Sequence, residues 1–220
     1  MKTKQLKLWE GQFGNDYRER NIITEEDILQ REAMWSNTIS NSNYERSKLR
    51  SESNILEVGC GQGINIIAFA NIQKKLSGGE INFTGIEPNK KTLEVCKYNC
   101  NARGYYPKLI DAHASNMNMV ADYSQDVVLT SGVLIHIHPS DQLAAMKEIY
   151  RKSRQLIICA EYFAPTLEEV NYHGEQAMWK RDYGSLWLDN FPLRVCSCNF
   201  IWKRITGIDN LTVWIFEKTM

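Results

Sequence analysis

The stretch Asn54-Ile55-Leu56-Glu57-Val58-Gly59-Cys60-Gly61-Gln62-Gly63 decides the fold of this chain. An apolar run feeds an acidic residue, and glycine then occupies every second position. Behind it Ile64, Ile67, Ala68 and Ile72 fall at helical spacing. This order predicts a buried parallel strand, a tight turn and the N-terminus of a helix. Glycine is needed where a backbone approaches a ligand closely or takes a positive φ. The free amides at the start of the helix then face that ligand. The loop therefore reads as a nucleotide-type cofactor site. It is not a dinucleotide fingerprint, which needs G-x-G-x-x-G: Ile64 and Ile66 stand where the third glycine would fall. It is not a P-loop either, because no Gly-Lys-Ser/Thr follows.

Moving outward, Asn82-Phe83-Thr84-Gly85-Ile86-Glu87, preceded by Ile81, predicts a second strand that ends in a carboxylate about 20 residues on. A carboxylate there accepts both hydroxyls of a ribose as charge-assisted hydrogen bonds. Pro88 stops the strand and supplies a rigid apolar edge beside the base. Lys108-Leu109-Ile110 is a short third strand ending in Asp111-Ala112-His113. Asp126-Val127-Val128-Leu129-Thr130 is the fourth, and it runs into Ser131-Gly132-Val133-Leu134-Ile135-His136-Ile137-His138-Pro139.

The remaining pattern predicts helices over roughly 63–75, 89–103 and 140–152, and a fifth strand over 156–161. An aromatic, charged insertion follows (162–190), then two last strands at about 194–203 and 211–218. Residues 1–50 read as a polar N-terminal cap with scattered aromatics, and 51–220 as the ligand-binding domain. Within the cap, Thr24-Glu25-Glu26-Asp27 is a helix start: Thr24 caps, the acids suit the positive helix end, and Asp27 sits at the capping-box position. Asn37 to Ser53, rich in Asn, Ser and charge, is expected to include a loop.

At 220 residues the chain can bury a substantial core as one α/β domain. With 26 basic and 26 acidic residues the formal charge is zero, which argues against a surface that coats nucleic acid. No run approaches the roughly 18 apolar residues of a membrane span, and Met1-Lys2-Thr3-Lys4 lacks a secretory apolar region, so the expected place is the cytoplasm. Cys60, Cys96, Cys100, Cys159, Cys196 and Cys198 form no C-x-x-C pair or zinc ladder and are expected to be reduced. Cys196 and Cys198, two apart on a strand, should share a face. The four histidines make no ligand set, so no catalytic metal is expected.

The sequence E-x-G-x-G-x-G at Glu57–Gly63, with Glu87 and Asp111 in register, resembles motif I and its partners in the class I S-adenosyl-L-methionine (SAM) methyltransferases. That resemblance covers nearly the whole chain. It implies a Rossmann-like seven-stranded sheet with helices on both faces, an N-terminal helical cap, an antiparallel last strand and SAM as cofactor. It further implies that Gly59, Cys60, Gly61 and Gly63 admit the methionine portion, while Glu57 orders the loop and the donor's ammonium. Glu87 and Pro88 would meet the ribose and adenine, Asp111 and the Ala112 amide the adenine edge, and Ser131, at the end of strand four, would also touch the cofactor. Arg20 with Tyr17 would bind the donor's carboxylate from the cap. No Asn/Asp-Pro-Pro-Tyr/Phe segment follows strand four, which disfavours transfer to the exocyclic amine of a nucleic-acid base.

A narrower resemblance lies outside the loop. Trp9–Asn21, Gly132–Pro139, Ala160–Pro165, Tyr172-His173-Gly174 and Lys180–Tyr183 resemble, in the same order, the methylases associated with pseudaminic acid biosynthesis. That family typically has Asn where this chain has His138. The resemblance implies a small polar, sugar-like acceptor of the nonulosonic-acid type or its precursor. Methyl transfer to another small metabolite (at oxygen, nitrogen or a carboxylate) and a non-catalytic SAM-binding protein are the alternatives. For catalysis, His136 is the candidate base, because an imidazole titrates near working pH; Glu161 and Tyr162 are further candidates. His138, Tyr172, His173 and Asp182 are candidates for contacting the acceptor.

Overall fold

The alternation of apolar residues along each strand is what builds the two-faced core. In the computed structural model, which describes residues 3–40, 53–77 and 82–219, β1 (Asn54–Val58) is flanked by β2 (Asn82–Glu87) and β4 (Gln125–Ser131), both parallel to it. β3 (Lys108–Asp111), β5 (Ser153–Glu161), β8 (Leu193–Ile201) and β9 (Leu211–Lys218) complete a seven-stranded sheet in the order β3-β2-β1-β4-β5-β9-β8. Only β9 pairs antiparallel to its neighbours, β5 and β8.

Successive side chains on a strand point to opposite faces, and the core divides accordingly. Ile55, Val127, Leu129, Leu156 and Ile158 pack on one face, under α3 (Glu25–Ser40), α4 (Ile64–Ser77) and α5 (Lys90–Asn101). Leu56, Val128, Ile157 and Phe216 pack on the other, under α6 (Pro139–Lys152) and α7 (Tyr183–Asn190). This is the α/β fold, with helices on both faces, expected from the sequence. The order of strands reverses between β1 and β4, and such a switch point opens a crevice at the carboxyl ends of the strands.

The helical cap that the resemblance implies is present, and four features differ from what the residue pattern alone placed. Two helices precede Thr24: α1 (Lys4–Glu10), capped by Thr3, and α2 (Gln12–Arg20). Their mixed polarity hid them, because they cover a site rather than a continuous apolar core. The Thr24–Asp27 capping box forms as expected, with Thr24 N donating to Asp27 Oδ2 at 2.8 Å and Asp27 N to Thr24 Oγ1 at 3.2 Å, but α3 continues to Ser40 through part of the expected loop. The rest of that loop, 41–52, lies outside the described residues, as does Ile81.

The insertion folds as a hairpin of β6 (Glu168–Tyr172) and β7 (Glu175–Lys180), followed by α7. Cys196 and Cys198 do not share a face: the pairing register shifts between Val195 and Ser197, so Cys196 is buried and Cys198 exposed. A bulge adds one residue to a strand and breaks its two-residue period. A short α8 (Lys203–Thr206) links β8 to β9.

Candidate cofactor and acceptor cavity

The switch-point crevice is a cavity of about 1200 Å³, roofed by α1, α2, the start of α3 and the β6–β7 hairpin. A single-ligand site is typically about 300–1,000 Å³, so this cavity is larger than one such site.

Its floor is the glycine turn. Gly61 has φ +52 with nothing within 4 Å of where a Cβ would lie, so its backbone is open to the cavity. Gly63, also at positive φ, does not line the cavity: a Cβ there would fall 2.9 Å from Cys96 Sγ and 3.0 Å from Cys100 Sγ on α5. Its expected role in admitting a ligand is therefore corrected to one in packing the loop on α5. Gly59 and Cys60 line the cavity.

Glu57 is positioned by a chain of side chains from three elements. Trp35 Nε1 on α3 donates to Asn65 Oδ1 at 2.9 Å, and Asn65 Nδ2 on α4 donates to Glu57 Oε1 at 2.6 Å. Among the described residues, Glu57 Oε2 has no hydrogen-bond partner although it is buried. Burial pushes the Glu57 carboxyl up to about 8, against the Asn65 bond and the Arg31 charge.

Arg31 is the residue that sequence reasoning missed. It reaches from α3 into the cavity, with Nη1 donating to Ser131 Oγ at 3.4 Å, and its buried Nε has no hydrogen-bond partner among the described residues. Burial lowers its basicity, and Glu57 is the charge that most opposes that shift. An orphaned carboxylate oxygen and an orphaned guanidinium N–H in one cavity fit the ammonium and carboxylate of an amino-acid moiety. In the sequence, Asp27 and Arg31 stand four apart and look like a solvated helix pair, so no local signal marked it. Arg20, the residue expected to bind that carboxylate, also lines the cavity but is exposed. Tyr17 lines it too, and burial pushes its phenol up to about 12.

Glu87 closes the far side. Its Oε2 accepts from Gly61 N at 3.2 Å and its Oε1 from Asn89 N at 2.9 Å. Burial raises its carboxyl to about 7. Pro88, Ala112 and Ser131 line the cavity. Asp111 does not: it is exposed and paired with Lys90 at 3.2 Å. β3 ends there, and the chain turns so that Ala112, His113 and Ser115 take the lining position.

On the other side of the cavity His136 sits under the cap. Its Nδ1–H donates to the Ala177 carbonyl at 2.7 Å, Trp9 covers its ring at 4.4 Å, and Tyr172 lies 5.3 Å away. Burial lowers the imidazole to about 4, so it is neutral near pH 7. Glu161 is fully buried and outside the lining: its two oxygens accept the backbone N–H groups of Val133, Leu134 and Ile135 at 3.0–3.3 Å. The carboxylate anchors the turn after β4, which corrects the expectation that it faces the reaction.

Tyr162 and Tyr172 line the cavity. His138 lines it as well, while its Nδ1 caps α6 by accepting from Ser140 N at 3.3 Å. His173 and Asp182 do not reach it. His173 (φ +53) and Gly174 (φ +87) are the two central residues of the β6–β7 turn, the backbone that such hairpins require. Asp182 caps α7 by accepting from Ser185 N at 2.9 Å. Among the described residues no three His, Cys, Asp or Glu side chains converge as a metal site, and no helix is long and apolar enough to cross a membrane.

Comparison with known proteins agrees with this geometry. A family profile described as a methyltransferase domain matches residues 55–155, the segment from β1 into β5. No curated protein matches the chain in sequence. Among solved structures, magnesium protoporphyrin IX methyltransferase from Synechocystis PCC 6803 with bound SAM superposes with a TM-score of 0.70 at 12% identity, covering 99% of each chain. The 1,6-didemethyltoxoflavin-N1-methyltransferase of Burkholderia thailandensis, with bound 1,6-didemethyltoxoflavin and S-adenosylhomocysteine, gives 0.68 at 14% identity, covering 94% of this chain and 86% of that one. The cyclase SpnF gives 0.65 at 11% identity, covering 86% and 82%. A methyltransferase-domain profile thus matches residues 55–155 of a chain that shares the class I fold with these structures.

Proposed function

We propose that the protein transfers a methyl group from SAM to a small polar acceptor, a nonulosonic-acid-type sugar or its precursor, with residues 1–50 acting as the cap. One observation carries this reading. Four of the five segments that resemble the pseudaminic acid-associated methylases contribute to one cavity: Trp9 and Tyr17, then His136, then Tyr162, then Tyr172. The fifth supports the hairpin beside it, through Arg181 Nη1 donating to Gln142 Oε1 at 3.2 Å and Tyr183 Oη to the Trp179 carbonyl at 2.8 Å. The cavity volume supports a donor and a sugar-sized acceptor together.

When bound, SAM supplies an electrophilic methyl on a sulfonium. What the chain supplies is orientation, which can be worth roughly 7–11 kcal/mol in favourable cases. In this reading Glu57 accepts the donor's ammonium through its free oxygen, and Arg31 takes its carboxylate with the two-pronged geometry guanidinium favours. Glu87 accepts the ribose hydroxyls, the Gly59–Gly61 backbone lets the methionine portion approach, and Pro88 and Ala112 border the adenine. Trp9 over His136 and the β6–β7 hairpin exclude water. His136, held neutral with Nδ1–H on Ala177, presents an unprotonated Nε2 as a hydrogen-bond acceptor.

The test is incubation of the purified protein with methyl-labelled SAM and a panel of nonulosonic acids and their nucleotide-activated precursors, read by product mass. A methylated sugar is expected. Intact sugars alongside measured S-adenosylhomocysteine (SAH) binding would reject this acceptor class. A planar heterocyclic metabolite is the second reading, favoured by the ring-lined wall of Trp9, Tyr17, His136, Tyr162 and Tyr172; the toxoflavin methyltransferase binds such a ring. SAH binding with no product from any acceptor would favour a non-catalytic SAM-binding protein.

A further inference from the structure

The cavity contains a hydrogen-bonded pair to which the reading above gives no part in holding the donor. Tyr162 follows the end of β5, and its hydroxyl donates to Asp209 Oδ2 at 3.1 Å. Asp209 lies between α8 and β9, and its Oδ1 accepts from Lys203 Nζ at 2.7 Å. All three residues line the cavity. The loop that carries Asp209 is braced, with Lys203 N donating to Asn210 Oδ1 at 2.9 Å and Gly207 in a left-handed cap of α8.

We propose that Tyr162 is the residue that receives the acceptor's proton and that Asp209, steadied by Lys203, is the positioning carboxylate that takes the proton on from Tyr162. This rests on the methyl-transfer reading above. The acceptor X–H donates to Tyr162 Oη. As the lone pair of X forms its bond to the methyl carbon, the electron pair of the breaking S–C bond stays on sulfur. The X proton passes to Tyr162 Oη and the phenol's own proton passes to Asp209 Oδ2. The positive sulfonium and the negative carboxylate both end neutral. Asp209 then returns its proton to water, to which its side chain is 58% exposed. A weak base is sufficient, because the proton on X becomes acidic once the new bond is partly formed.

The surroundings favour this pair over His136. The imidazole is buried under Trp9 with Nδ1 committed to Ala177, which disfavours its charged form. Asp209 is kept ionised, with Lys203 holding its carboxyl below the usual range. The other groups facing the pair are Tyr17 and Tyr172, the Arg31 guanidinium, and Lys180, whose Nζ lies 5.6 Å over the Tyr162 ring.

The test uses full-length Tyr162→Phe, Asp209→Asn and Asp209→Glu. SAH affinity within about twofold of wild type is expected for all three, measured by calorimetry. On the acceptor that the wild type methylates, kcat should fall about 100-fold or more in Tyr162→Phe and Asp209→Asn. KM should be little changed, and Asp209→Glu should recover at least tenfold of the loss. With SAM saturating, the most acidic limb of the acceptor's kcat/KM profile, set by Asp209 below the ordinary carboxylate range, should disappear in Asp209→Asn. A kcat within threefold of wild type, or a loss that follows SAH affinity, would overturn the relay. Wild type that binds SAH but methylates nothing is failure of the functional reading instead. In that case the ultraviolet tyrosinate titration decides the coupling. Asp209→Asn should lower the pH at which the one tyrosine missing from Tyr162→Phe ionises, and an unchanged curve overturns it.

Discussion

Replacing Arg31 with methionine separates the two halves of the donor. Methionine keeps much of the buried apolar stem and removes only the guanidinium. Among the described residues Arg31 Nε is buried without a hydrogen-bond partner and Nη1 makes a long bond to Ser131, so the substitution breaks little that exists there without ligand. Glu57 loses its nearby cation, but burial already holds that carboxyl near 8, so it is mostly neutral at pH 7 and the fold should tolerate the change. With ligand the loss is larger. Removing one partner of a buried, hydrogen-bonded charge pair costs about 2–4 kcal/mol, which corresponds to roughly 30- to 700-fold in Kd. Calorimetry with SAH should show that loss. 5′-Methylthioadenosine, which lacks the amino-acid carboxylate and ammonium, should bind within about threefold of wild type. Arg20→Ala, at an exposed position, should leave both within about threefold. Equal weakening of both ligands by Arg31→Met would mean damage to the fold, and unchanged SAH affinity would remove Arg31 from the donor site.

Three more outcomes follow from the same geometry. Glu57, Glu87 and Glu161 have carboxyls raised by burial to about 8, 7 and 7, so between about pH 4.5 and 8 the folded state holds more protons than the unfolded one. Stability should therefore fall as pH rises through that window, whereas SAH affinity should rise as Glu57 ionises; a melting temperature that climbs from pH 5 to 8 contradicts this. Glu161→Ala strands the amides of Val133, Leu134 and Ile135, at about 1–3 kcal/mol. In a chain of this size that is a drop of about 2–12 °C in Tm, and an unchanged Tm by differential scanning fluorimetry would show that the anchor is dispensable. Gly61→Ala should abolish most SAH binding with a stability loss near the left-handed penalty of about 1–2 kcal/mol. Gly63→Ala, whose Cβ meets two sulfurs, should lower Tm further; the reverse ranking would contradict the assignment of the two glycines.

The parallel core was legible because its signals are local. β1, β2, β4 and β5 are apolar runs bounded by turn residues, and the helices between them carry a helical period, so both faces of the sheet can be drawn from spacing alone. Gly59, Gly61, Glu87 and Pro88 follow for the same reason, since a ligand at a switch point meets the ends of consecutive strands. α1 and α2 lack that signal: Trp9 and Tyr17 turn toward a cavity rather than a core, and their neighbours are charged. The bulge that separates Cys196 from Cys198 is a register fact about β9 opposite, invisible in β8 by itself.

What the sequence by itself determined was the fold class, the glycine turn after β1 and the carboxylate at the end of β2, because strand, turn and helix preferences act over a few residues. What only the tertiary structure decided was which charged side chains meet. Arg31 reaches Ser131 and the neighbourhood of Glu57 from 100 and 26 residues away, and Tyr162 meets Asp209 across 47. Glu161 turned from a candidate catalyst into an anchor once three backbone amides were found on it. A side chain's chemistry depends on the partners and water around it, and those are set by how distant segments pack.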